Sequence, residues 1–347
     1  MDDKYDVHDN TEDDFGYSLR PETLDEFIGQ DKAKEQIRLH IEAVKTRRKE
    51  KGKSVAKSKD NVLEHVLLVS PPGLGKTTLA KIIANEFGTN FKQAIGTVME
   101  QLDLASTLTN LEEGDILFID EIHRMKATTQ ESLYPVLEDF VLDLSIGQGP
   151  GSDIVQVPIE PFTLVGATTR EGLLTGPFRD RLGIHIHLDY YTPEDIQQAI
   201  RINSVKLNIK TEEDAEYELA KRARGTMRVA NKLLANVRDF AQVHSNGILT
   251  HEVALEALEF FGIDEKGLNK QDYAYFRALI DTFNGRAGKK ALSVALSEDE
   301  RTIEEVYEPF YIKEGFLKLT PSGRVATEGA YEYFGYPTSN QPSLFDI

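Results

Sequence analysis

A chain of 347 residues exceeds one ordinary compact domain, and 40% hydrophobic with 28% charged content supplies apolar material for two or three cores. It has no cysteine, which excludes disulfides and thiolate metal sites and fits a reducing cytoplasm. No apolar run approaches the roughly 18 residues that span a bilayer, so no membrane partner is expected. The formal charge of −18 excludes nucleic-acid binding over the whole surface, and any DNA contact needs a local basic patch or an accessory partner.

Taken in chain order, residues 1–18 are acidic and polar, unlike a secretory signal, and read as a disordered lead-in. "KTRRKEKGKSVAKSK" (Lys45–Lys59) is basic and aperiodic, and reads as a solvated loop or insertion in preference to a DNA-binding arm. Leu67–Val69 suits a buried strand that ends at a Pro-Pro-Gly turn. After Lys76, the residues Leu79, Ile82, Ile83 and Phe87 fall at helical spacing. "ILFID" (Ile116–Asp120) and "FTLVGATT" (Phe162–Thr169) are two more buried strands. Strands alternating with helices predict a mostly parallel sheet, with ligands at the strands' carboxyl ends. Leu142–Phe162 alternates apolar and polar residues about a glycine-rich centre, which predicts a projecting β-hairpin. A helical domain is expected over 189–262, with Thr211 and Thr250 as candidate N-caps. Three helices and a hairpin over 263–335 predict a winged helix, and 336–347 reads as a tail.

The chemistry gathers at the strand ends. "SPPGLGKTT" departs from G-x-x-x-x-G-K-[ST] at Ser70, but the residues nearest phosphate are of the expected types. Gly73 and Gly75 allow close backbone approach, Lys76 reaches the β- and γ-phosphates of ATP, and Thr77 offers its hydroxyl to Mg²⁺. Ser70 reads as lying one turn away from this chemistry, tolerable unless its φ is positive. Asp120 ends a strand and can hold Mg²⁺ through water, while Glu121 can orient and deprotonate the attacking water. Thr169 is placed to touch that water or the γ-phosphate. In "GPFRDRLG" (Gly176–Gly183) one of the two arginines can act as a finger on a neighbouring subunit, and Arg228 can close on the nucleotide from the helical domain.

Taken together, "LRPETLDEFIGQ", "PPGLGKTTLA", "LFIDEIHR", "LYPVLEDF", "FTLVGATTR", "RGTMRVANKLL", "TIEEVYEP" and "GRVAT" resemble the RuvB family, AAA+ motors of Holliday-junction branch migration, over Leu19–Gly335. The resemblance implies an α/β AAA+ P-loop ATPase domain with a parallel sheet (19–188), an all-α lid (189–262) and a C-terminal winged-helix domain (263–335). It implies an ATP-driven homo-hexamer that moves duplex DNA at four-way junctions with RuvA and RuvC, the hairpin 142–162 facing RuvA. By the same resemblance Leu19, Arg20, Phe27 and Ile28 flank the adenine, and Gly73, Lys76, Thr77 and Thr78 bind phosphates and Mg²⁺. Glu138, Asp139, Phe140, Tyr191 and Arg228 complete the nucleotide site. Arg181 is the finger acting in trans, with Arg179 the alternative, and Arg324 contacts DNA from the wing.

The departures bear on function. Met227 stands where the family has proline, the connection around Lys51–Asn61 is lengthened, and "LTPSGR" has lost two wing cations, with Lys318 as partial compensation. A loader or remodeller of protein partners is the competing reading, and a nucleotide-dependent scaffold a third. The winged helix argues against the first of these, and Lys76, Asp120, Glu121 and Arg181 against the second. In the tail, "QPSLF" (Gln341–Phe345) resembles the peptide by which bacterial repair proteins dock on the sliding clamp. The other reading is that Leu344 and Phe345 pack on the winged helix.

Overall fold

The computed structural model describes residues 19–51, 61–97, 99, 101–146 and 153–337. The acidic N-terminus, much of the basic insertion, the hairpin tip and the tail with Gln341–Phe345 lie outside the described residues. By contacts the chain divides into two units. The first runs to Asp189 without Pro71–Gly73, and the second holds Pro71–Gly73 and everything from Tyr190.

The first unit opens with α1 (Asp31–Lys51), β1 (Val66–Val69), α2 (Lys76–Phe87), β2 (Phe91–Ile95), α3 (Gln101–Thr109), β3 (Ile116–Asp120) and α4 (Ala127–Asp139). The antiparallel hairpin β4 (Val141–Ile146) and β5 (Asp153–Pro158) follows, then β6 (Thr163–Thr168), α5 (Gly176–Asp180) and β7 (Ile184–His187). The sheet is parallel throughout, in the order β2-β3-β6-β1-β7. β1, β3 and β6 are buried almost end to end, as expected of strands inside a parallel sheet. Val69 pairs with Thr168 and Ile119 with Gly166, so three chemistry-bearing segments leave the sheet side by side. Gly166 brings the strands close there: a Cβ on it would come within 2.7 Å of Ile122 Cδ1 in the turn after β3, and the isoleucine would have to shift.

The second unit begins with α6 (Pro193–Lys206), β8 (Lys210–Thr211), α7 (Glu213–Arg222), α8 (Met227–His244), β9 (Ile248–Leu249) and α9 (His251–Phe260). Thr250 caps α9 as expected, accepting the Val253 N–H. Thr211 does not cap α7, which starts after Glu212, and its hydroxyl donates to Glu216 Oε1 at 2.6 Å instead. Thr192 and Thr226 are further caps, and Thr226 sits directly before Met227. Thr226 already serves the Val229 N–H, and proline at 227, the first helical position, would add a preset φ.

The chain ends in α10 (Lys270–Arg277), β10 (Arg286–Ala287), α11 (Lys289–Leu296), α12 (Glu300–Thr302), α13 (Glu308–Lys313), β11 (Leu317–Thr320), β12 (Gly323–Ala326) and α14 (Glu328–Tyr333). This is the expected winged helix, with one addition. Two-residue β10 joins the wing in the order β10-β12-β11, a strand too short to show periodicity. Its core is aromatic, with Phe276 stacked 4.4 Å from Phe334 and edge-on to Tyr311 at 4.9 Å. Within this unit Arg224, at φ +56°, spans to Asp272 at the start of α10 through contacts of 2.5 and 3.2 Å.

Candidate nucleotide site

The loop between β1 and α2 is shaped by left-handed backbone at Gly73 (φ +80°) and Gly75 (φ +100°), which other residues adopt at a cost. Gly75 is the N-cap residue of α2 and, lacking a side chain, offers the first N–H groups no side-chain cap. Uncapped N–H groups at a helix N-terminus make an anion site. Lys76 is buried beside them, and its Nζ donates to Ser70 O at 2.9 Å and Ser70 Oγ at 3.1 Å. Ser70 is not among the residues with positive φ, and its own N–H pairs with Thr168 O at 3.1 Å. Serine therefore fits. The expectation that it lies away from the chemistry is corrected, because its hydroxyl holds the phosphate-loop lysine.

At the end of β3, Asp120 Oδ1 accepts the Glu121 N–H at 2.9 Å, and Glu121 itself turns at φ +51°. At the end of β6, Thr169 Oγ1 is buried without a hydrogen-bond partner among the described residues. An orphaned buried hydroxyl costs stability unless a ligand completes it. Uncapped helix, buried lysine and orphaned hydroxyl thus fit a bound phosphate. No cluster of three His, Cys, Asp or Glu residues able to hold a metal occurs among the described residues.

Three family models match in order: the Holliday junction DNA helicase RuvB P-loop domain over 19–188, the RuvB AAA lid domain over 191–264, and the RuvB C-terminal winged helix domain over 265–335. The chain belongs to the RuvB family. It is 46% identical to the Holliday junction branch migration complex subunit RuvB of Salinibacter ruber, across 97% of this chain and 96% of that one. Among solved structures it is similar to the Thermotoga maritima RuvB Holliday junction branch migration motor, with a TM-score of 0.81 and 42% identity over 92% of this chain and 99% of that one. The R170A form of that protein also matches, at TM-score 0.81 and 41% identity over 92% and 98%.

The other residues that the RuvB resemblance points to are distributed as follows. Leu19 and Phe27 are buried in the first unit, and Arg20 and Ile28 are partly buried. Arg181 ends α5, where its Nη2 meets Glu138 Oε1 at 2.8 Å and its guanidinium lies 4.4 Å from the Tyr134 ring. Glu138 is thereby engaged with the arginine, and Phe140 packs edge-on against His65 and Phe162, a core role in this fold. In the second unit Tyr191 is buried and donates its N–H to Gly225 O at 2.9 Å. The Arg228 N–H, in the first turn of α8, reaches Gly73 O at 3.4 Å, and a Cβ on Gly73 would stand 3.2 Å from Arg228 Cβ.

The wing departs further from expectation. Arg324 Nε donates to Glu308 Oε1 at 2.7 Å, and Nη2 reaches Glu308 Oε2 and Glu304 Oε1, each at 3.0 Å. The hydrogen bond to Glu308 is the main reason its pKa is raised. The DNA contact expected of Arg324 therefore meets a physical obstacle, since two carboxylates already occupy the guanidinium. Lys318, on β11, is exposed. Sequence reading missed His123, buried beside Glu121, and the Arg224–Asp272 pair. The "DEIH" string held the signal for the first, and nothing local marked the second.

Proposed function

We propose that this chain is an ATP hydrolase and DNA helicase subunit, a ring motor that translocates duplex DNA and drives branch migration of four-way junctions in recombination and repair. The observation that carries this is the meeting of the phosphate loop, Asp120–Glu121 and Thr169 at adjacent carboxyl ends of β1, β3 and β6, in a chain matched by RuvB models through its winged helix. Gly73, Gly75, Lys76, Thr77 and Thr78 hold the phosphates, with Thr77 and Asp120 toward Mg²⁺. Leu19, Arg20, Phe27, Ile28 and Tyr191 border the base. Magnesium-bound ATP supplies a phosphoanhydride whose γ-phosphoryl group can pass to water. Glu121 takes the proton of that water, Thr169 orients it, and Arg228 completes the nucleotide site.

Arg181, at the end of a short helix and held by Glu138 in the isolated chain, acts on the nucleotide of a neighbouring subunit in a homo-hexamer. The hairpin 142–162 receives RuvA, RuvC resolves the junctions that the motor moves, and Gln341–Phe345 docks on the sliding clamp. No helix among the described residues is long and apolar enough to cross a membrane, and the cytoplasm is the proposed location. A loader of protein partners on DNA is the second reading, and the match of 265–335 to the RuvB winged helix favours the motor. The test is ATP-dependent unwinding of a four-way junction, with and without RuvA. ATP turnover without junction unwinding in either case would move the assignment to the loader.

A further inference from the structure

Between Glu121 and the end of β6 lies a histidine that the chemistry above does not use. His123 occupies the short 3₁₀ turn after β3, with its side chain 3% exposed. Its Nδ1 is 2.9 Å from Thr168 Oγ1, and its Nε2 is 3.5 Å from Glu121 Oε2. Thr168 is fully buried and pairs across the sheet with Val69, the last residue of β1. The turn that carries the histidine is itself fixed, because Ile122 is buried over Gly166 of β6.

The tautomer in which Nδ1 is the acceptor gives this arrangement a direction. Thr168 Oγ1 accepts the Arg170 N–H at 2.9 Å, and the hydroxyl still has its own proton to donate. Donated to Nδ1, it leaves the proton of a neutral imidazole on Nε2, the nitrogen that faces Glu121. A donor fixed by the sheet then stands 3.5 Å from a carboxylate whose own side chain is 24% exposed. Arg124 Nε also approaches Glu121 Oε2, at 3.2 Å, but from a side chain that is 27% exposed.

We propose that His123 is a positioning residue for ATP hydrolysis: it ties the carboxylate of Glu121 to Thr168, between the phosphate loop and Thr169. The inference rests on the reading of Glu121 as general base. Its physical content is orientation. A base displaced by about 1 Å loses on the order of 10²-fold in rate, while ground-state binding of nucleotide is untouched.

The experiment is steady-state ATPase of the full chain, with nucleotide affinity and thermal melting measured in parallel. His123→Ala should lower kcat on the order of 10-fold or more, with KM and ATP affinity held within about twofold. Two isosteres separate the ring's contacts. His123→Gln carries its nitrogen near the Nε2 position and should regain part of the rate. His123→Asn keeps the Thr168 contact alone and should behave like alanine. Thr168→Val should lower kcat in the same direction by less. Equal rates for the Gln and Asn forms would overturn the proposal, even if the alanine form melts below the assay temperature. So would a full rate for His123→Ala, or a loss that appears with Arg124→Ala and not with His123→Ala. Glu121→Gln is measured alongside: if it alone loses turnover, the base reading stands and the positioning role of His123 fails, and if it keeps turnover, the base reading fails first.

Discussion

Around the ends of β1, β3 and β6 the chain leaves polar capacity open. The buried hydroxyl of Thr169 has no hydrogen-bond partner among the described residues, and α2 begins without a side-chain cap. In the second unit two charged clusters, around Asp272 and around Arg324, are closed on themselves. Asp272, fully buried, takes Arg224 on both oxygens, the Tyr311 hydroxyl at 2.7 Å and the Asn269 N–H at 2.6 Å. Arg324 is likewise satisfied by Glu304 and Glu308, and Glu308 takes the Tyr275 hydroxyl as well. The contrast teaches how to tell a ligand site from a structural network when both are rich in charge. A site leaves donors or acceptors for its ligand to complete, and a network satisfies them, since an unpaired buried group is costly. By that measure the first region is a site. Arg324 belongs to a network, whatever its place in the motif.

The sharpest way to break the comparison is to remove the groups that face the nucleotide. Lys76→Ala should abolish ATP binding in a titration with a fluorescent analogue. Glu121→Gln should bind ATP and turn over about 10²-fold or more slower, the loss expected of a general base. Arg181→Ala should retain binding and lose hydrolysis by about 10³-fold, the scale of an arginine finger. Doped into wild-type protein, it should depress activity beyond simple dilution. A decline in proportion to dilution would show that Arg181 acts on its own subunit's nucleotide.

For the network the expected effect is on folding. Asp272→Ala strands the Arg224 guanidinium, 13% exposed, and removes the Asp272 half of the capping box of α10, so a loss of about 3–5 kcal/mol is expected by denaturant titration. Tyr311 should report the same pair, since burial first and Asp272 second hold its pKa well above the ordinary tyrosine value. A folded-state pKa above the unfolded one means stability present below about pH 10 and lost as pH rises beyond it. Tyr311→Phe should weaken that alkaline loss. A normal alkaline transition in both forms would mean that the hydroxyl is not closed in the network.

The wing tests whether the contrast extends to DNA. Lys318→Ala should weaken binding alike on all sequences and flatten log K against log salt by about 0.9, the slope of one released counterion. Arg324→Ala should lower the melting temperature and leave that slope nearly unchanged. The opposite pattern would place Arg324 on phosphate after all.

The two regions also differ in how far they could be read from sequence. The phosphate loop, "LFIDE" and "GATT" are contiguous strings whose residues act where a strand ends, so local order is enough to assemble them. The parallel sheet and the winged helix were legible for the same reason, from periodicity and turn chemistry. Arg224–Asp272 joins residues 48 positions apart, and the engagement of Arg324 depends on Glu308, 16 positions away. Neither pairing has a local signature. The charge pattern of the wing could show which cations were present, but not which were already spent.

Ser70 lies on the boundary between these cases and gives the smallest expected effect. Its hydroxyl accepts from Lys76 Nζ, while its carbonyl accepts from the same nitrogen at a slightly shorter distance. Ser70→Gly deletes one of these two bonds. A net hydrogen bond contributes about 0.5–1.5 kcal/mol, more when one partner is charged. The bond is made with the lysine turned toward the strand end, and a γ-phosphate would compete with Ser70 for Nζ. Losing it should therefore destabilise the nucleotide-free chain slightly and leave ATP affinity unchanged to about fivefold tighter. The turnover number should stay within about twofold, because φ at this position is not left-handed and glycine relieves no strain. Calorimetric melting with and without ATP separates the two states. If glycine weakens ATP binding or raises turnover many-fold, the serine hydroxyl is part of the nucleotide site itself, and the line drawn between a site that waits for its ligand and a network that does not runs through Ser70.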